Sequence, residues 1–199
     1  MSSVAKNTLT ITIAAILQKV VAFGYFILVA QSLGVVNTGK YSAALAFTTI
    51  FVVGVDLGIN NVFIREAARA KSDVPWYLSR IMGMKLLFGV ITYGILFLSL
   101  SLLQFDDTMR QLILISGVTM IFDSLHLTLY GALRVEGDLK YEAIGMVLSQ
   151  CTTAIVGGVG ILLHFSLPWF MVAFLVASSI NVLFATCVLR FKYHVSWWP

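Results

Sequence analysis

Six long apolar stretches separated by short polar segments run along the chain, and each is long enough to cross a membrane as a helix. About 20 apolar residues span the roughly 30 Å of bilayer hydrocarbon at 1.5 Å per residue. None of the stretches alternates in polarity over its length, which disfavours the strands of a membrane barrel. The pattern predicts an all-α, polytopic membrane protein with spans at residues 8–34, 41–64, 81–103, 111–133, 141–164 and 167–191.

Helix-breaking residues occupy the short segments between the spans. Gly34 and residues 37–39 separate the first two spans, and residues 72–75 separate the second from the third. Pro168 opens the sixth span at a first-turn position, where its missing N–H costs little. No linker is long enough to divide the chain, so residues 1–199 are predicted to form a single six-helix transmembrane lobe.

The composition excludes several classes of protein. Hydrophobic residues make up 59% of the chain and charged residues 11%, against about 45–50% and about 25% in soluble domains. A soluble enzyme and a disordered chain are therefore excluded. The basic residues are scattered between apolar runs rather than gathered in one patch, so no nucleic acid is expected as a partner.

The basic residues instead predict the orientation in the membrane. Lys and Arg accumulate in the cytoplasmic loops of membrane proteins. The two sides of the predicted bundle differ in this respect, because one side carries nine Lys and Arg residues and the opposite side carries only Lys40 and Arg110. The bias predicts a multi-pass protein of the cytoplasmic (cell) membrane with both termini in the cytoplasm, the basic side carrying Lys6, Arg65, Arg69, Lys71, Arg80, Arg134, Lys140, Arg190 and Lys192.

Ionisable residues at membrane depth are the candidate functional groups. Such residues usually face a bundle interior or a water-filled cavity. Asp123 lies at the centre of the fourth span, three residues before His126, and this pair can exchange protons near neutral pH. The alternative to this functional role is that the polar side chains only form hydrogen bonds between helices. Steps of three and four residues place a polar stripe on one face of this span: Ser116, Thr119, Asp123, His126 and Tyr130.

The first two spans carry further polar groups. Lys19 lies beside Gln18 near the middle of the first span, and Asp56 and Asn60 share a helical face of the second. Lys19 could form an ion pair with Asp56 or Asp123, or attract an anionic substrate group into a cavity, and the sequence leaves both open. Lys85 lies nearer a span end, so it is interpreted as a structural residue that snorkels to the interface.

No motif points to catalysis, a cofactor or a metal. The chain lacks a Gly-x-Ser-x-Gly elbow, a His-Glu-x-x-His helix and a Walker loop. No catalytic residue is predicted, and the protein is expected not to be an enzyme. One alternative stays open, a membrane-embedded lipid-modifying enzyme that uses Asp123 and His126 as acid and base. Further titratable groups beside this pair in one pocket would favour that alternative.

Two motifs stand at the first two spans. The first is Leu33-Gly34 followed by Gly39-Lys40-Tyr41, and the second is Asp56-Leu57-Gly58 followed by Arg65-Glu66. In this order they resemble the motifs of the polysaccharide (O-antigen type) flippases, within the multidrug/oligosaccharidyl-lipid/polysaccharide exporter superfamily. The motif-bearing part covers residues 1–72, and the other four spans match in number and polarity. Gln31 stands where an arginine commonly precedes the Leu-Gly loop, a departure from the family pattern that leaves a neutral side chain at this point.

The resemblance implies translocation of lipid-linked oligosaccharide or polysaccharide precursors across the cytoplasmic membrane by alternating access, coupled to an ion gradient. The substrate would be a glycan on an isoprenoid diphosphate, surrounded by membrane lipids. Lys19, with Gln18 and Asn60, would contact the substrate, and Asp56, Asp123 and His126 would bind the coupling ion. Family members have two six-helix lobes, so the chain is expected to be the amino-terminal one. It would need a second lobe or a homodimer, and an inactive truncated lobe is a further alternative.

Overall fold

Long α-helices make up almost all of the computed structural model. It describes the backbone of residues 3–70 and 73–195, and side chains from residue 7 onward in those ranges. Lys6, Lys71 and Ser72, used in the predictions above, lie outside the described side chains. Within the described residues there is no strand, and the helices are α1 (Ser3–Asp56), α2 (Ile59–Arg69), α3 (Val74–Leu102), α4 (Asp107–Val135), α5 (Lys140–Leu162) and α6 (Pro168–Lys192).

Helix α1 joins the first two predicted spans without a loop. The polar segment after Gly34 is helical, so the prediction of a loop at residues 37–39 is wrong. The chain bends only at Gly34, whose φ of 73° favours glycine. Around the bend, Asn37 Nδ2 donates to Leu33 O and Thr38 Oγ1 donates to Gly34 O. These side chains bind carbonyls near the kink, which lets the helix continue past it.

A second break divides the predicted second span. Helix α1 ends at Asp56, Leu57 and Gly58 adopt positive φ angles of 44° and 76°, and α2 follows. Among the described residues, five helical stretches are long and apolar enough to cross a membrane, the first of which is the whole of Asn7–Arg69. The other four coincide with α3 to α6. Helix α3 begins at Val74, seven residues before the predicted start, because Pro75 lies in its first turn.

Helix α4 is the central helix, packed against α1, α2, α3 and α6, while α5 packs against α1 and α6. Two hydrophobic clusters fill opposite ends of the bundle. The cluster around Tyr41, Leu112 and Phe170 lies at the end that holds Gly34, and the cluster around Phe63, Leu133 and Leu189 lies at the end that holds Gly137. We refer to these as the Gly34 end and the Gly137 end. Along α3 and α6 the buried polar residues fall between the two clusters, as do Ser116, Thr119 and Ser124 of α4.

Ion pairs between charged side chains lie at both ends of the bundle. At the Gly34 end, Lys40 Nζ lies 2.5 Å from Asp106 Oδ2. At the Gly137 end, Asp138 accepts hydrogen bonds from Lys192 and Tyr193 and lies 3.2 Å from Lys140 Nζ. Burial alone would raise the pKa of Asp138, but these donors outweigh it and lower the pKa to about 2. The Asp138 carboxylate therefore stays charged and ties the α4–α5 turn to the end of α6.

Gly157 and Gly158, adjacent in α5, provide a matched test of helix packing. A Cβ at Gly157 would overlap the hydroxyl of Tyr25 on α1, whereas a Cβ at Gly158 would meet nothing within 4 Å. We expect Gly157→Ala to lower the free energy of unfolding by roughly 1–3 kcal/mol through overpacking. Gly158→Ala is expected to be neutral or slightly stabilising because alanine favours helix. Unfolding of the detergent-solubilised protein measures both, and equal effects would contradict close α1–α5 packing.

Candidate functional site

A polar cavity of about 360 Å³ lies between α1, α4, α5 and α6. Its volume falls within the range of small-molecule sites, roughly 300–1,000 Å³. Helix α4 supplies Asp123, His126 and Tyr130, at the spacing that the polar stripe predicts. The other polar residues in its wall are Gln18, Glu142, Ser149, Gln150, Thr153, Ser178 and Asn181. We call this space the polar cavity.

Asp123 lies where the cavity meets α6. Its Oδ1 accepts a hydrogen bond from Ser178 Oγ at 2.5 Å and lies 3.6 Å from His126 Nδ1. Half of the Asp123 side chain is exposed (49%), while His126 is largely buried and its Nδ1 has no hydrogen-bond partner among the described residues. A carboxylate and an imidazole thus line one cavity with 3.6 Å between Asp123 Oδ1 and His126 Nδ1, close enough to share a proton.

Two further polar pairs lie at the cavity toward the Gly137 end, and Glu142, Tyr130 and Asn181 are their members in its wall. Arg134 Nε donates to Glu142 Oε2 at 2.7 Å, and Arg134 Nη2 donates to the other carboxylate oxygen. The Glu142 side chain is only 4% exposed. Tyr130 Oη donates to Asn181 Oδ1 at 2.5 Å. Neither Glu142 nor Asn181 was predicted from the sequence, where the one signal for Glu142 is an acidic residue in the first turn of the otherwise apolar α5.

The polar stripe of α4 continues beyond the polar cavity. A second space of about 210 Å³ between α1, α4 and α6 is lined by Ser116, Thr119 and Asp123, together with Thr49 of α1. Thr48 and Ser116 share a buried hydrogen bond of 2.8 Å. The prediction that the stripe occupies one face of α4 is confirmed, and this face borders two cavities that share Asp123 and Phe174 in their walls.

Asp56 lies on the other side of α4, in a separate ion pair. Its Oδ1 is 2.5 Å from Lys85 Nζ of α3, and Lys85 also donates to the carbonyl of Ser124 at 3.1 Å. Lys85 is fully buried, so the interpretation that it snorkels to the interface is wrong. The error follows from the late predicted start of α3, which placed Lys85 near the end of the span instead of a full three turns inside the helix.

The structure places the remaining predicted site residues apart from one another. Lys19 follows Gln18 directly, but successive residues on a helix are rotated by 100°, so the two side chains point in different directions. The exposed side chain of Lys19 lies in a shallow apolar recess on the outer face of α1. Asn60 belongs to α2, and its buried Oδ1 lies close to Gly131 of α4. Of the six predicted residues, the structure therefore gathers Gln18, Asp123 and His126 around one cavity. The functional roles of all six stay predictions.

No metal centre is apparent: among the side chains that the structure describes, no three His, Cys, Asp or Glu residues are grouped as ligands. Comparison with known proteins identifies one family, described as polysaccharide biosynthesis protein, whose model matches residues 4–197. The match extends well beyond the motifs in residues 1–72 and covers α1 to α6. Neither the curated proteins nor the solved structures contain a match to the chain.

Proposed function

The chain belongs to the polysaccharide biosynthesis protein family, and on this premise we propose that it flips lipid-linked oligosaccharides across the cytoplasmic membrane. The observation that carries the proposal is the polar cavity at the centre of an apolar helical bundle. Unpaired polar groups in hydrocarbon are costly, so a cavity lined by Asp123, His126 and Gln18 indicates a wetted path. A glycan with its many hydroxyl groups needs such a path.

We propose that the bundle crosses the membrane six times and works as one lobe. The stretch Asn7–Arg69 is about 95 Å long if fully helical, roughly three times the thickness of the hydrocarbon, and the kink at Gly34 lets it cross twice. Both termini would then lie at the cytoplasmic Gly137 end, where the basic side chains concentrate. A second lobe or a second copy would close the open side of the cavity during alternating access.

The ion-coupling role is assigned first to Asp123 and His126. Their shared cavity and the 3.6 Å between Asp123 Oδ1 and His126 Nδ1 suit reversible binding of a proton or a small cation. Asp56 is a weaker candidate because Lys85 already neutralises its carboxylate at 2.5 Å. The coupling ion is therefore expected to bind in the polar cavity and not at the α1–α2 break.

Substrate contacts are assigned to both faces of α1. Gln18 would hydrogen-bond the glycan inside the polar cavity. Lys19, exposed on the adjoining face, would attract the diphosphate of the isoprenoid carrier at the boundary with a partner lobe. Asn60 retains a buried Oδ1 without a partner among the described residues, but its distance from the polar cavity makes it the weakest of the three.

A membrane-embedded enzyme is the second candidate, favoured by one observation. Glu142 joins Asp123 and His126 in the wall of the same cavity, so further titratable groups do accompany the pair. Glu142 is held by Arg134 through both carboxylate oxygens, however, which leaves it poorly placed to transfer protons. An enzyme would change the covalent structure of the lipid-linked glycan, whereas a flippase would only change its side of the membrane.

Reconstitution of the full chain into proteoliposomes tests the proposed function. An isoprenoid diphosphate bearing a labelled saccharide is placed in both leaflets, and a lectin added outside reports the accessible fraction. We expect that fraction to rise above one half with time while mass spectrometry finds the lipid unaltered. Lys19→Ala should abolish the rise although the protein still inserts, and Lys40→Ala, at an exposed ion pair away from both cavities, should not.

Each result of this assay separates the alternatives. A constant accessible fraction with wild-type protein would contradict transport by this chain alone, and activity gained only with a partner lobe would identify an incomplete transporter. A chemically altered lipid would support the enzyme instead. Transport that Lys19→Ala leaves intact would remove Lys19 from the substrate path.

A further inference from the structure

An open, largely apolar groove of about 550 Å³ runs along the outside of the bundle between α1 and α5. Asn7 Nδ2 donates to Gly137 O at 3.1 Å, which holds the first part of α1 beside the start of α5. The side chains of Ile13, Leu17 and Ile144 are about half exposed along it. We call this space the α1–α5 groove and define it by Ile13, Leu17, Lys140, Ile144, Val147 and Cys151.

The α1–α5 groove and the polar cavity lie on opposite faces of α5. Val147 and Cys151 line the groove, whereas Ser149 and Thr153 line the polar cavity. Successive members of this series are two residues apart, which is a rotation of about 200° on a helix. Helix α5 therefore separates the two spaces, and a ligand in the groove lies on the bilayer side of the bundle, away from the proposed glycan path.

Two ammonium groups stand at the Gly137 end of the groove. Lys140 Nζ and Lys192 Nζ lie 3.2 Å and 2.9 Å from the same carboxylate oxygen, Asp138 Oδ2. Both also lie over the ring of Tyr141, at 5.0 Å and 4.5 Å from its centroid. The two lysine side chains are 54% and 43% exposed. Within this cluster two positive charges share one negative charge, so a positive charge is held at the surface where the groove begins.

The length of the groove matches one leaflet of a bilayer. From Lys140 to Cys151, α5 rises about 16 Å at 1.5 Å per residue. This is close to half of the roughly 30 Å of hydrocarbon. An apolar chain lying along the groove would therefore place its headgroup at the level of Lys140. A phosphate without a cation of its own suits that position, whereas a choline headgroup would bring a second positive charge to the lysines.

We propose that the α1–α5 groove binds one anionic phospholipid of the leaflet at the Gly137 end, with an acyl chain along the groove and its phosphate against Lys140 and Lys192. The apolar walls hold the chain, and the lysine pair selects the charge. Basic residues near an anionic headgroup strengthen binding by about fivefold each. Because α5 separates the groove from the polar cavity, this lipid stays bound whichever substrate the cavity takes.

Lys140→Gln tests the charge. Asp138 still accepts hydrogen bonds from Lys192 and Tyr193 in this variant, so the turn should stay folded. Binding of an anionic phospholipid should weaken by about fivefold, and Lys140→Arg should restore it. Arg190→Gln is the matched control, since Arg190 shares the last turn of α6 with Lys192 but points about 200° away.

Val147→Trp tests the groove itself. Val147 lies in the groove wall, and a tryptophan there would fill part of the space for the acyl chain. We expect this variant to lower the retention of phospholipid severalfold. Ile155→Trp is its control, because Ile155 lies about two turns further along α5, is 66% exposed and does not line the groove.

The experiment counts lipids bound to the full chain by native mass spectrometry from detergent micelles. Phosphatidylglycerol and phosphatidylcholine with identical acyl chains are titrated separately, and a polyprenyl phosphate is then added as a competitor. We expect the wild type to retain one phosphatidylglycerol at least about fivefold more readily than phosphatidylcholine. Lys140→Gln and Val147→Trp should lose that retention, and Arg190→Gln and Ile155→Trp should keep it.

Four results would overturn the phospholipid site. The first is equal retention of both phospholipids by the wild type, and the second is a preference that survives Lys140→Gln and Val147→Trp. The third is an equal loss in the two control variants, which would assign the preference to the overall charge of this end. Displacement of phosphatidylglycerol by an equal concentration of polyprenyl phosphate would assign the groove to a carrier lipid instead. None of these results bears on transport through the polar cavity.

Discussion

Asp56→Ala is expected to lower the free energy of unfolding by about 3–5 kcal/mol, since it leaves a buried lysine without its counter-ion. Lys85 is 0% exposed and Asp56 is 33% exposed, and the ammonium of Lys85 lies 2.5 Å from the Asp56 carboxylate. After the substitution its remaining hydrogen-bond partner in the structure is the carbonyl of Ser124 at 3.1 Å. Reversible unfolding in mixed micelles, followed by circular dichroism, measures the loss.

A second ion pair of the same length gives the matched control. Lys40 and Asp106 are also 2.5 Å apart, but their side chains are 35% and 51% exposed. Water already solvates both charges, so Asp106→Ala should cost no more than about 1 kcal/mol. The double variant Asp56→Ala/Lys85→Met should recover most of the loss, because it removes the unpaired charge. Equal losses in the two single variants would contradict a desolvated Lys85 ammonium.

The Asp56–Lys85 pair also marks a limit of prediction from the sequence. Asp56 and Asn60 are four residues apart, so a continuous helix would place them on one face. The positive φ angles of Leu57 and Gly58 end α1 between them and send Asn60 toward Gly131. Local spacing carries no information about such a break. The partner of Asp56 is likewise determined by how α3 packs on α1. From the sequence, Lys19 was the candidate partner of Asp56, whereas the structure pairs Asp56 with Lys85.

The fold and the α4 face were predictable for a physical reason. Apolar runs long enough to cross a bilayer allow few alternatives to helix, and Asp123 and His126 follow the helical period closely enough to share a cavity. The residues that the other helices contribute to the wall of the polar cavity could not be predicted from the sequence. Ser178 and Asn181 look like helix-packing residues in the sequence, and only the packing of α6 on α4 brings Ser178 within 2.5 Å of Asp123.

Asp123→Asn is expected to abolish the dependence of transport on the ion gradient, the largest functional effect among these variants. Asparagine has nearly the same volume and can still accept the hydrogen bond from Ser178 Oγ, so the bundle should stay folded. It cannot carry the negative charge that a proton or cation neutralises. Contacts to a charged group contribute roughly 1.5–3 kcal/mol, so ion binding should weaken by about tenfold or more. Proteoliposome transport under imposed proton or sodium gradients measures the effect.

Asp107→Asn is the control on the same helix, because Asp107 lies in the first turn of α4 at the Gly34 end, away from the polar cavity. It should retain the response to the gradient. If Asp123→Asn also retains that response, Asp123 is not the coupling site, while transport itself still stands. If Asp123→Asn loses transport under every gradient and His126→Gln does the same, the pair serves the glycan path instead. A charge that couples an ion must alter how the rate responds to the gradient, whereas a group that only contacts the substrate changes the rate equally at every gradient.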